Sequence, residues 1–525
     1  MRSKPDRSDP RAEAVGQQVE AQDKRVKALL VIVSLAVVAA LIYDGLRDEV
    51  FPEWRAHQRE YGKLLVAKAT DEAEREAADA FKPAVRQVVL PDRGIIDRCI
   101  SCHVGVDDPR MSDAPQPHTS HPGDYLKWHP TNEFGCTACH DGDGRALTWD
   151  DARGDEHWDF PLLPVGLTQA SCGRCHGGDD IAESGGRLFA LGETLYLTKG
   201  CSSCHKIGGR GGSMGPDLDS EGLKIPQQLD MTHVEGPHTV AQWLTEHFED
   251  PQRIVPESQM KQPQLSYHET QALTLYMLSL GDRGLPVSVL APSKHNSLYQ
   301  QSGPLNMTGE ELYERFCASC HDTGTYGRYD EFYTKFIPAV RGATYTLVAS
   351  DEYVDENIRR GRPGTLMPAW GETGGGLSDD EITRIREFLM EPTGGPTHDM
   401  QAGPLAGGAV GGLTWDATRG AEAFARHCAA CHGPEGSDGP APELSNEVFQ
   451  ESASEMFIWL TIALGRRNTA MPSFLAPDSG GLSAADISDL VAHVRTFSPA
   501  TPTVSAIDED PQASLRTAHD SRRLQ

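Results

Sequence analysis

The 525-residue sequence is poor in positive charge and has no cysteine outside one repeated motif. It carries 48 Lys and Arg residues against 76 Asp and Glu, a formal net charge of -28. So acidic a chain is unsuited to nucleic acid, because phosphate recognition needs a basic surface. A basic protein docking surface suits it better. Hydrophobic residues make up 38%, too many for general disorder, and the length predicts about three or four domains.

All twelve cysteines lie in C-x-x-C pairs, and a histidine follows each pair at once. This is the attachment signature of c-type haem, in which two thiols bind one porphyrin and the adjacent histidine binds its iron. Three other uses of paired cysteines fit less well. Zinc knuckles need no histidine after every pair, and thioredoxin-like motifs need a single site in a βαβ context. A disulfide framework would not repeat this spacing six times. The sequence therefore predicts six covalently bound haem c groups. Their attachment cysteines and iron-ligating histidines are Cys99, Cys102 and His103; Cys136, Cys139 and His140; Cys172, Cys175 and His176; Cys201, Cys204 and His205; Cys317, Cys320 and His321; and Cys428, Cys431 and His432.

One uncharged apolar run, residues 28–43, lies near the N-terminus. As a helix it would span about 24 Å, slightly less than a bilayer core of about 30 Å unless flanking residues snorkel. Lys and Arg precede it, so the positive-inside rule places residues 1–27 in the cytoplasm and the rest in the periplasm or outside the cell membrane. A signal peptide cleaved near Ala40 is the alternative, but the long leading segment favours a retained single-pass anchor in the bacterial inner membrane. Residues 44–90 then predict a solvated or partner-facing helical stalk.

The last three motifs recur about 110–116 residues apart in similar surroundings, as an internal repeat does. A short amphipathic helix precedes each motif. Downstream follow a loop methionine, a Leu-Ser pair that predicts a capped helix start, and a closing helix with apolar residues at helical spacing. The three methionines are Met260, Met367 and Met471.

With these features, the three C-terminal segments each resemble the class I cytochrome c family. The resemblance implies small all-α domains with histidine and methionine as axial iron ligands, pairing the histidine of each motif with the methionine that follows it. The family's Gly-Pro-x-Leu loop is present at 215–218, stretched at 439–444, and replaced in the middle domain by Ile337-Pro338. Met260 is followed by Lys261 rather than proline, which leaves Met214 and His268 as alternative ligands.

The first three motifs lie too close together for three such domains, and no Met-Pro loop follows them. Closely packed haems normally take a second histidine. We therefore expect His121, His129 and His157 as distal ligands and His118 as a fourth candidate that binds no iron. The sequence does not pair these histidines with particular irons. Residues 54–176 also resemble the N-terminal part of membrane-anchored multihaem cytochromes that accompany bacterial quinol-oxidising complexes. The residues that carry this resemblance are Asp97-Arg98-Cys99, Phe134-Gly135-Cys136, His157-Trp158 and two His-Pro pairs.

The expected fold is mainly α with much irregular structure. Gly/Pro-rich linkers at 286–302 and 393–414 predict domains arranged like beads on a string. The expected domains are a cytoplasmic segment 1–27, a transmembrane anchor 28–43, a helical stalk 44–90, a trihaem module 91–185, cytochrome c domains 186–285, 303–392 and 415–500, and a disordered tail 501–525.

The predicted function is electron transfer, with no catalytic residues. Histidine/methionine ligation raises the reduction potential relative to two histidines, so electrons should run from the anchor end toward the C-terminal domains. The donor would be a membrane quinol-oxidising complex, and the acceptor a terminal oxidase, a reductase or a soluble cytochrome. One alternative is a peroxidase- or reductase-like haem enzyme with an open or displaceable axial position. The other is an integral electron-transfer subunit of a respiratory complex.

Overall fold

The computed structural model describes residues 10–49, 52–155, 158–295, 305–391, 415–476 and 481–497. The chain divides into two compact units, Met1–Ser171 and Cys172–Gln525. This boundary separates the third C-x-x-C-H motif from the first two, so the segment 91–185 is shared between the units. Among the described residues, paired strands form only three two-stranded antiparallel sheets. The prediction of a mainly α fold is confirmed.

The first unit begins with a 40-residue helix, Pro10–Glu49. Its segment Glu20–Leu46 is apolar and long enough to cross a membrane. The predicted anchor 28–43 lies inside this segment, and its large apolar side chains are exposed. Leaving so much apolar surface in water is costly, and the helix therefore fits a single membrane crossing.

The next helix, Glu53–Lys68, does not stand free as the predicted stalk. It buries one face, and the Gln58 side chain on that face donates a hydrogen bond to the Ser101 carbonyl at 2.8 Å, inside the first motif. Tyr61 donates to Asp108 at 3.0 Å. The many charged residues on the opposite face made the helix look solvated, whereas its aromatic residues and Gln58 recur at helical spacing and form a packing surface.

The other regular elements of the first unit are short, and its apolar core is small. One cluster contains only Tyr61, Leu65, Ala78 and Met111 as buried members. So small a core needs an additional buried group or cross-link for stability. The elements are helices Glu72–Asp79, Tyr125–Trp128, Thr131–Phe134, Thr137–His140, Trp149–Arg153 and Gln169–Cys172, and paired strands Val88–Leu90 and Ile95–Asp97.

The second unit contains three repeats, each built on a crossing of its first and last helices. A Cβ atom on Gly192 would lie 2.1 Å from the Ala272 carbonyl oxygen of the opposing helix, and Gly309 and Gly420 meet the equivalent carbonyls at 2.0 Å. Only glycine allows the two backbones to approach so closely. The crossing pairs are Arg187–Thr198 with Tyr267–Ser279, Gly309–Phe316 with Asp379–Met390, and Ala417–His427 with Ala484–Val494.

The last helix of each repeat begins with a capping box, as the Leu-Ser pairs predicted. In each box the serine side chain accepts from a backbone N–H three residues on, and the acidic side chain at that position accepts from the serine N–H. The pairs are Ser266 with Glu269, Ser378 with Glu381, and Ser483 with Asp486. The remaining elements are helices Gly178–Ile181, Val240–Glu249, Pro251–Ile254, Ala318–His321, Ala343–Val348, Asp351–Arg359, Ala429–His432, Glu447–Ser452 and Glu455–Leu464, and strands Lys206–Ile207 with Arg210–Gly211 and Arg328–Asp330 with Lys335–Ile337.

The three repeats pack against one another, so the beads-on-a-string prediction is wrong. The second and third repeats share one hydrophobic core, in which the rings of Tyr353 and Phe457 lie 4.3 Å apart. The first and second repeats are joined by a buried ion pair, in which the Arg210 Nη1 lies 3.1 Å from the Glu381 Oε2. The composition of a linker gives no information about whether the domains it connects are in contact. That contact depends on surfaces that exist only once each repeat has folded. Residues 296–302, 393–414 and the predicted tail 501–525 lie outside the described residues.

Candidate functional site

Each of the six C-x-x-C-H motifs forms one tight turn with the same hydrogen bonds. In every motif the second cysteine N–H donates to the first cysteine carbonyl at 3.1 Å, and the histidine N–H donates to that carbonyl at 2.8–3.0 Å. Residues three and four apart share a helix face, so the turn presents both thiols and the imidazole on one side. All twelve cysteines lie in the described residues, and none is paired with another in a disulfide.

Several of the motif thiols are buried among apolar groups. Burial raises the pKa of Cys201 and Cys428 to about 11 and that of Cys317 to about 12. Redox-active cysteines instead have a lowered pKa, which positive surroundings produce. The surroundings of these three thiols therefore do not suit thiol-redox chemistry, and the histidine after each pair fits haem attachment.

In each repeat a proline carbonyl fixes the orientation of the motif histidine. A carbonyl only accepts, so the imidazole Nδ1 carries the proton and Nε2 keeps the lone pair that an iron needs. Burial also lowers the pKa of these histidines, which favours the neutral ring. In the second repeat, Pro338 thus supplies the carbonyl acceptor in place of the missing Gly-Pro-x-Leu loop. The Nδ1–carbonyl distances are 2.9 Å for His205 to Pro216, 3.2 Å for His321 to Pro338, and 2.9 Å for His432 to Pro442.

The three loop methionines share a local geometry that the sequence analysis did not recognise. Each methionine N–H donates to a hydroxyl two residues earlier: Met260 to Ser258 at 3.2 Å, Met367 to Thr365 at 3.2 Å, and Met471 to Thr469 at 3.1 Å. Each methionine also packs against a hydrophobic core of the second unit.

Met260 therefore lies in the same kind of loop as the other two methionines, despite the lysine that follows it. Of its alternatives, Met214 lines a cavity of the neighbouring repeats, and His268 is exposed. The signal that could have aligned Met260 is a Ser or Thr two residues before each methionine.

A single cavity of about 830 Å³ joins the pockets of the second and third repeats. Its walls include aromatic and aliphatic residues of both repeats, such as Phe316 and Phe424. Such an apolar lining suits a large planar apolar ligand. Groups held in the two halves of this cavity would be neighbours. The motif and loop residues on its wall are Cys317, Cys320, His321 and Met367 from one repeat, and Cys428, Cys431, His432 and Met471 from the other.

Comparison with known protein families agrees with the three repeats. Residues 189–281 and 417–498 match the family model Cytochrome c, and residues 304–389 match Cytochrome C oxidase, cbb3-type, subunit III. Each matched segment contains one motif turn, one loop methionine and one glycine crossing. The chain is a multihaem c-type cytochrome.

Several curated proteins are similar to part of this cytochrome. The cbb3-type cytochrome c oxidase subunit FixP of Bradyrhizobium sp. (strain ORS 278) is 26% identical over 199 residues, which are 36% of this chain and 60% of the relative. Subunit CcoP of the same oxidase type from Rhodobacter capsulatus is 26% identical over 204 residues, 36% of this chain and 61% of the relative. The cytochrome bc1 complex cytochrome c subunit of Corynebacterium diphtheriae is 25% identical over 230 residues, 42% and 76% of the respective chains. The chain thus spans about three fifths of the oxidase subunits.

The fourth motif turn of the cytochrome belongs to the first repeat, and the third motif turn packs against that repeat. Phe189, on the first helix of that repeat, lies directly over Gly173 of the third motif. Lys294 donates to the Gly173 carbonyl at 2.7 Å. The fourth turn in turn contacts the second repeat, where Ser202 donates to the Arg315 carbonyl at 2.8 Å.

In the first unit of the cytochrome, one carboxylate ties the first two motif turns together. Asp97 is fully buried. Its Oδ2 accepts from the N–H groups of Cys136 at 2.6 Å and Thr137 at 2.8 Å, and its Oδ1 accepts from the Cys99 N–H at 3.1 Å. The hydrogen bond between the Cys99 and Cys136 thiols, with burial, raises the pKa of Cys99. The first two motif turns are therefore adjacent.

The candidate distal histidines of the first unit have different surroundings. The His121 ring lies 6.2 Å from that of His140, and the His129 ring packs on Phe134 at 5.0 Å. His118, expected as the spare, is only 2% exposed and lies 6.0 Å from His57. The sequence analysis did not consider His57, because it lies on the helix interpreted as a stalk. His157 lies outside the described residues.

Proposed function

We propose that this cytochrome is a membrane-anchored, periplasmic electron carrier with six haem c groups and no catalytic site. The observation that carries the proposal is the cavity shared by the fifth and sixth motifs, because electrons pass efficiently only between closely spaced centres. Haem iron supplies the one-electron chemistry by alternating between ferric and ferrous states. The proposed axial ligands are His103, His140, His176, His205, His321 and His432 from the motifs, Met260, Met367 and Met471 in the three repeats, and His121, His129 and His157 for the first three haems.

Contacts between motif turns support a continuous route within each unit. Asp97 joins the first and second turns in the first unit. In the second unit, the Ser202–Arg315 hydrogen bond joins the fourth turn to the helix that leads into the fifth, and the common cavity joins the fifth and sixth. Because packing holds these motif turns close together, we expect electron transfer along these steps to need no large domain motion.

Ligand type gives the route a direction. Two histidines hold haem iron at a lower potential than histidine and methionine do, so the proposed ligands make the first three motifs the entry and the three repeats the exit. We propose a membrane quinol-oxidising complex as donor, and a terminal oxidase, a reductase or a soluble cytochrome as acceptor. With a net charge of -28, the cytochrome should dock on basic surfaces, and its transfer rates should fall as salt rises.

A potentiometric titration with low-temperature EPR on the detergent-extracted holo-protein tests this proposal. We expect six irons, three with bis-histidine signals at low potential and three with histidine/methionine signals at high potential. The variant Cys317→Ala/Cys320→Ala should lose one haem and slow reduction of the sixth by a low-potential donor, whereas Cys428→Ala/Cys431→Ala should leave reduction of the fifth unchanged. Fewer than six haems, or motif thiols that alkylate freely, would contradict the proposal.

A second candidate role is that of a fixed subunit in a respiratory complex. The similarity to oxidase subunits FixP and CcoP and to a bc1-complex subunit favours it. Native electrophoresis of mildly solubilised membranes distinguishes the two roles. A fixed subunit co-migrates with an oxidase or a quinol-oxidising complex at all salt concentrations, whereas a free carrier separates from both.

A further inference from the structure

We infer that His121 and His140 are the two axial ligands of one iron, that of the haem attached at Cys136 and Cys139. The sequence offers four histidines as distal ligands and pairs none of them with an iron. The inference rests on the proposed electron-transfer function, since it assigns a ligand within one of its six centres.

The separation of the two imidazoles is that of a pair sharing one metal. Their ring centres lie 6.2 Å apart. A metal–imidazole bond is about 2 Å, and the ligating nitrogen is about 1 Å from the ring centre, so two rings on opposite sides of one metal have centres about 6 Å apart. The planes are inclined at 64°, which is compatible with this arrangement because each ring can rotate about its bond to the metal.

Hydrogen bonds leave the correct nitrogen of His121 available. The His121 Nδ1 lies 2.9 Å from the Pro122 carbonyl oxygen. Since a carbonyl only accepts, Nδ1 carries the proton and Nε2 keeps its lone pair. This is the same arrangement that the proline carbonyls impose on the motif histidines of the three repeats.

The backbone holds His121 in place between the first two motifs. Its N–H donates to the Val106 carbonyl at 2.9 Å, three residues after His103. This hydrogen bond ties His121 to the turn that follows the first motif.

The other histidines of the first unit that the structure describes lie in different surroundings. His129 packs on Phe134, and His118 lies beside His57 and Tyr61. Among the candidates, His121 is therefore the one whose position and orientation both suit the second haem.

The test uses the full-length holo-cytochrome and the variant His121→Gly. We expect one of the six low-spin ferric EPR signals to be replaced by a high-spin signal, and added imidazole to restore it. The matched control His238→Ala removes an exposed histidine and should leave all six signals unchanged. An H121G spectrum with six unchanged low-spin centres would overturn the inference.

A second variant identifies which haem iron His121 binds. Cys136→Ala/Cys139→Ala lacks the second haem, so adding His121→Gly to it should produce no high-spin signal. A high-spin signal there would assign His121 to another haem and overturn the pairing. If the glycine variant does not accumulate, His121→Met should instead turn one bis-histidine centre into a histidine/methionine centre of higher potential, and an unchanged set of signals would overturn the inference. A wild-type protein with six haems and normal electron uptake would leave the proposed function intact in either case.

Discussion

Replacing Arg210 by methionine should open the contact between the first two repeats. The Arg210 Nη1 lies 3.1 Å from both carboxylate oxygens of Glu381. The two side chains are only 7% and 0% exposed. The substitution removes the charge but keeps much of the aliphatic bulk, and it leaves Glu381 buried without its cation.

The expected cost follows from what Glu381 retains. Removing one partner of a buried ion pair destabilises by about 3–5 kcal/mol. Glu381 still accepts from the Leu305 N–H at 2.8 Å and from the N–H and hydroxyl of Ser378 at 2.8 and 2.9 Å. We therefore expect the low end of that range, about 3 kcal/mol, which is roughly a hundredfold in the equilibrium for opening the interface.

Hydrogen exchange at the Gly211 amide measures this opening directly. That N–H donates across the interface to the Gly375 carbonyl at 3.1 Å, so it exchanges when the repeats separate. Protection should fall about a hundredfold in R210M. The control Arg419→Met removes a partly exposed arginine from an ion pair with Asp489 inside the third repeat and should leave Gly211 protection unchanged. A change of less than about threefold in R210M, or an equal loss in R419M, would mean that the Arg210–Glu381 ion pair does not hold this interface closed.

Three further predictions concern acid, the first two motifs and the methionine loops. Burial alone raises the pKa of Glu381, but hydrogen bonds from Ser378, Leu305 and Arg210 outweigh it and hold the pKa below 4.5. The carboxylate therefore stabilises the interface above pH 4.5, and Gly211 protection should fall as the pH drops through the folded pKa. The variant E381Q should flatten this pH dependence. Asp97→Ala leaves three partly buried N–H groups without their carboxylate acceptor, at about 1 kcal/mol each. Peptide mass spectrometry should therefore find less haem on motifs one and two and full loading on motif six, with partial recovery in D97N. Thr469→Val removes the hydroxyl that accepts from the Met471 N–H, at a cost of about 1 kcal/mol. Cyanide binding at one haem should therefore become about fivefold faster, whereas Ser437→Ala in the same repeat should leave it unchanged.

The elements that the sequence predicted correctly are those set by local chemistry. The C-x-x-C-H turns, the capped closing helices and the apolar N-terminal helix each depend on residues within a few positions of one another. Spacing therefore shows them directly, because residues three or four apart share a helix face. The glycine of each helix crossing and the hydroxyl before each methionine are local patterns as well, but their role is visible only once the contacting carbonyl or amide is known.

Long-range contacts account for what the sequence analysis missed or misjudged. His57 lies on a helix rich in charged residues, and only the packing of that helix places it beside His118. Asp97 precedes a motif by two residues, yet its main partner, the Cys136 N–H, is 39 residues away. The docking of the repeats depends on Arg210 and Glu381, 171 residues apart.

The sequence alone specified the type of cofactor, the number of attachment motifs and the main helices of the repeats, because covalent attachment and helix capping require particular residues at short fixed spacings. The small two-stranded sheets of the first and second repeats were not expected, since the resemblance implied all-α domains. The tertiary structure decided which motifs are neighbours, which proline orients each histidine in the repeats, and which histidine faces His140. These relations join residues that are distant in the chain, and only the buried contacts of the folded protein select one arrangement among the many that the same motifs allow.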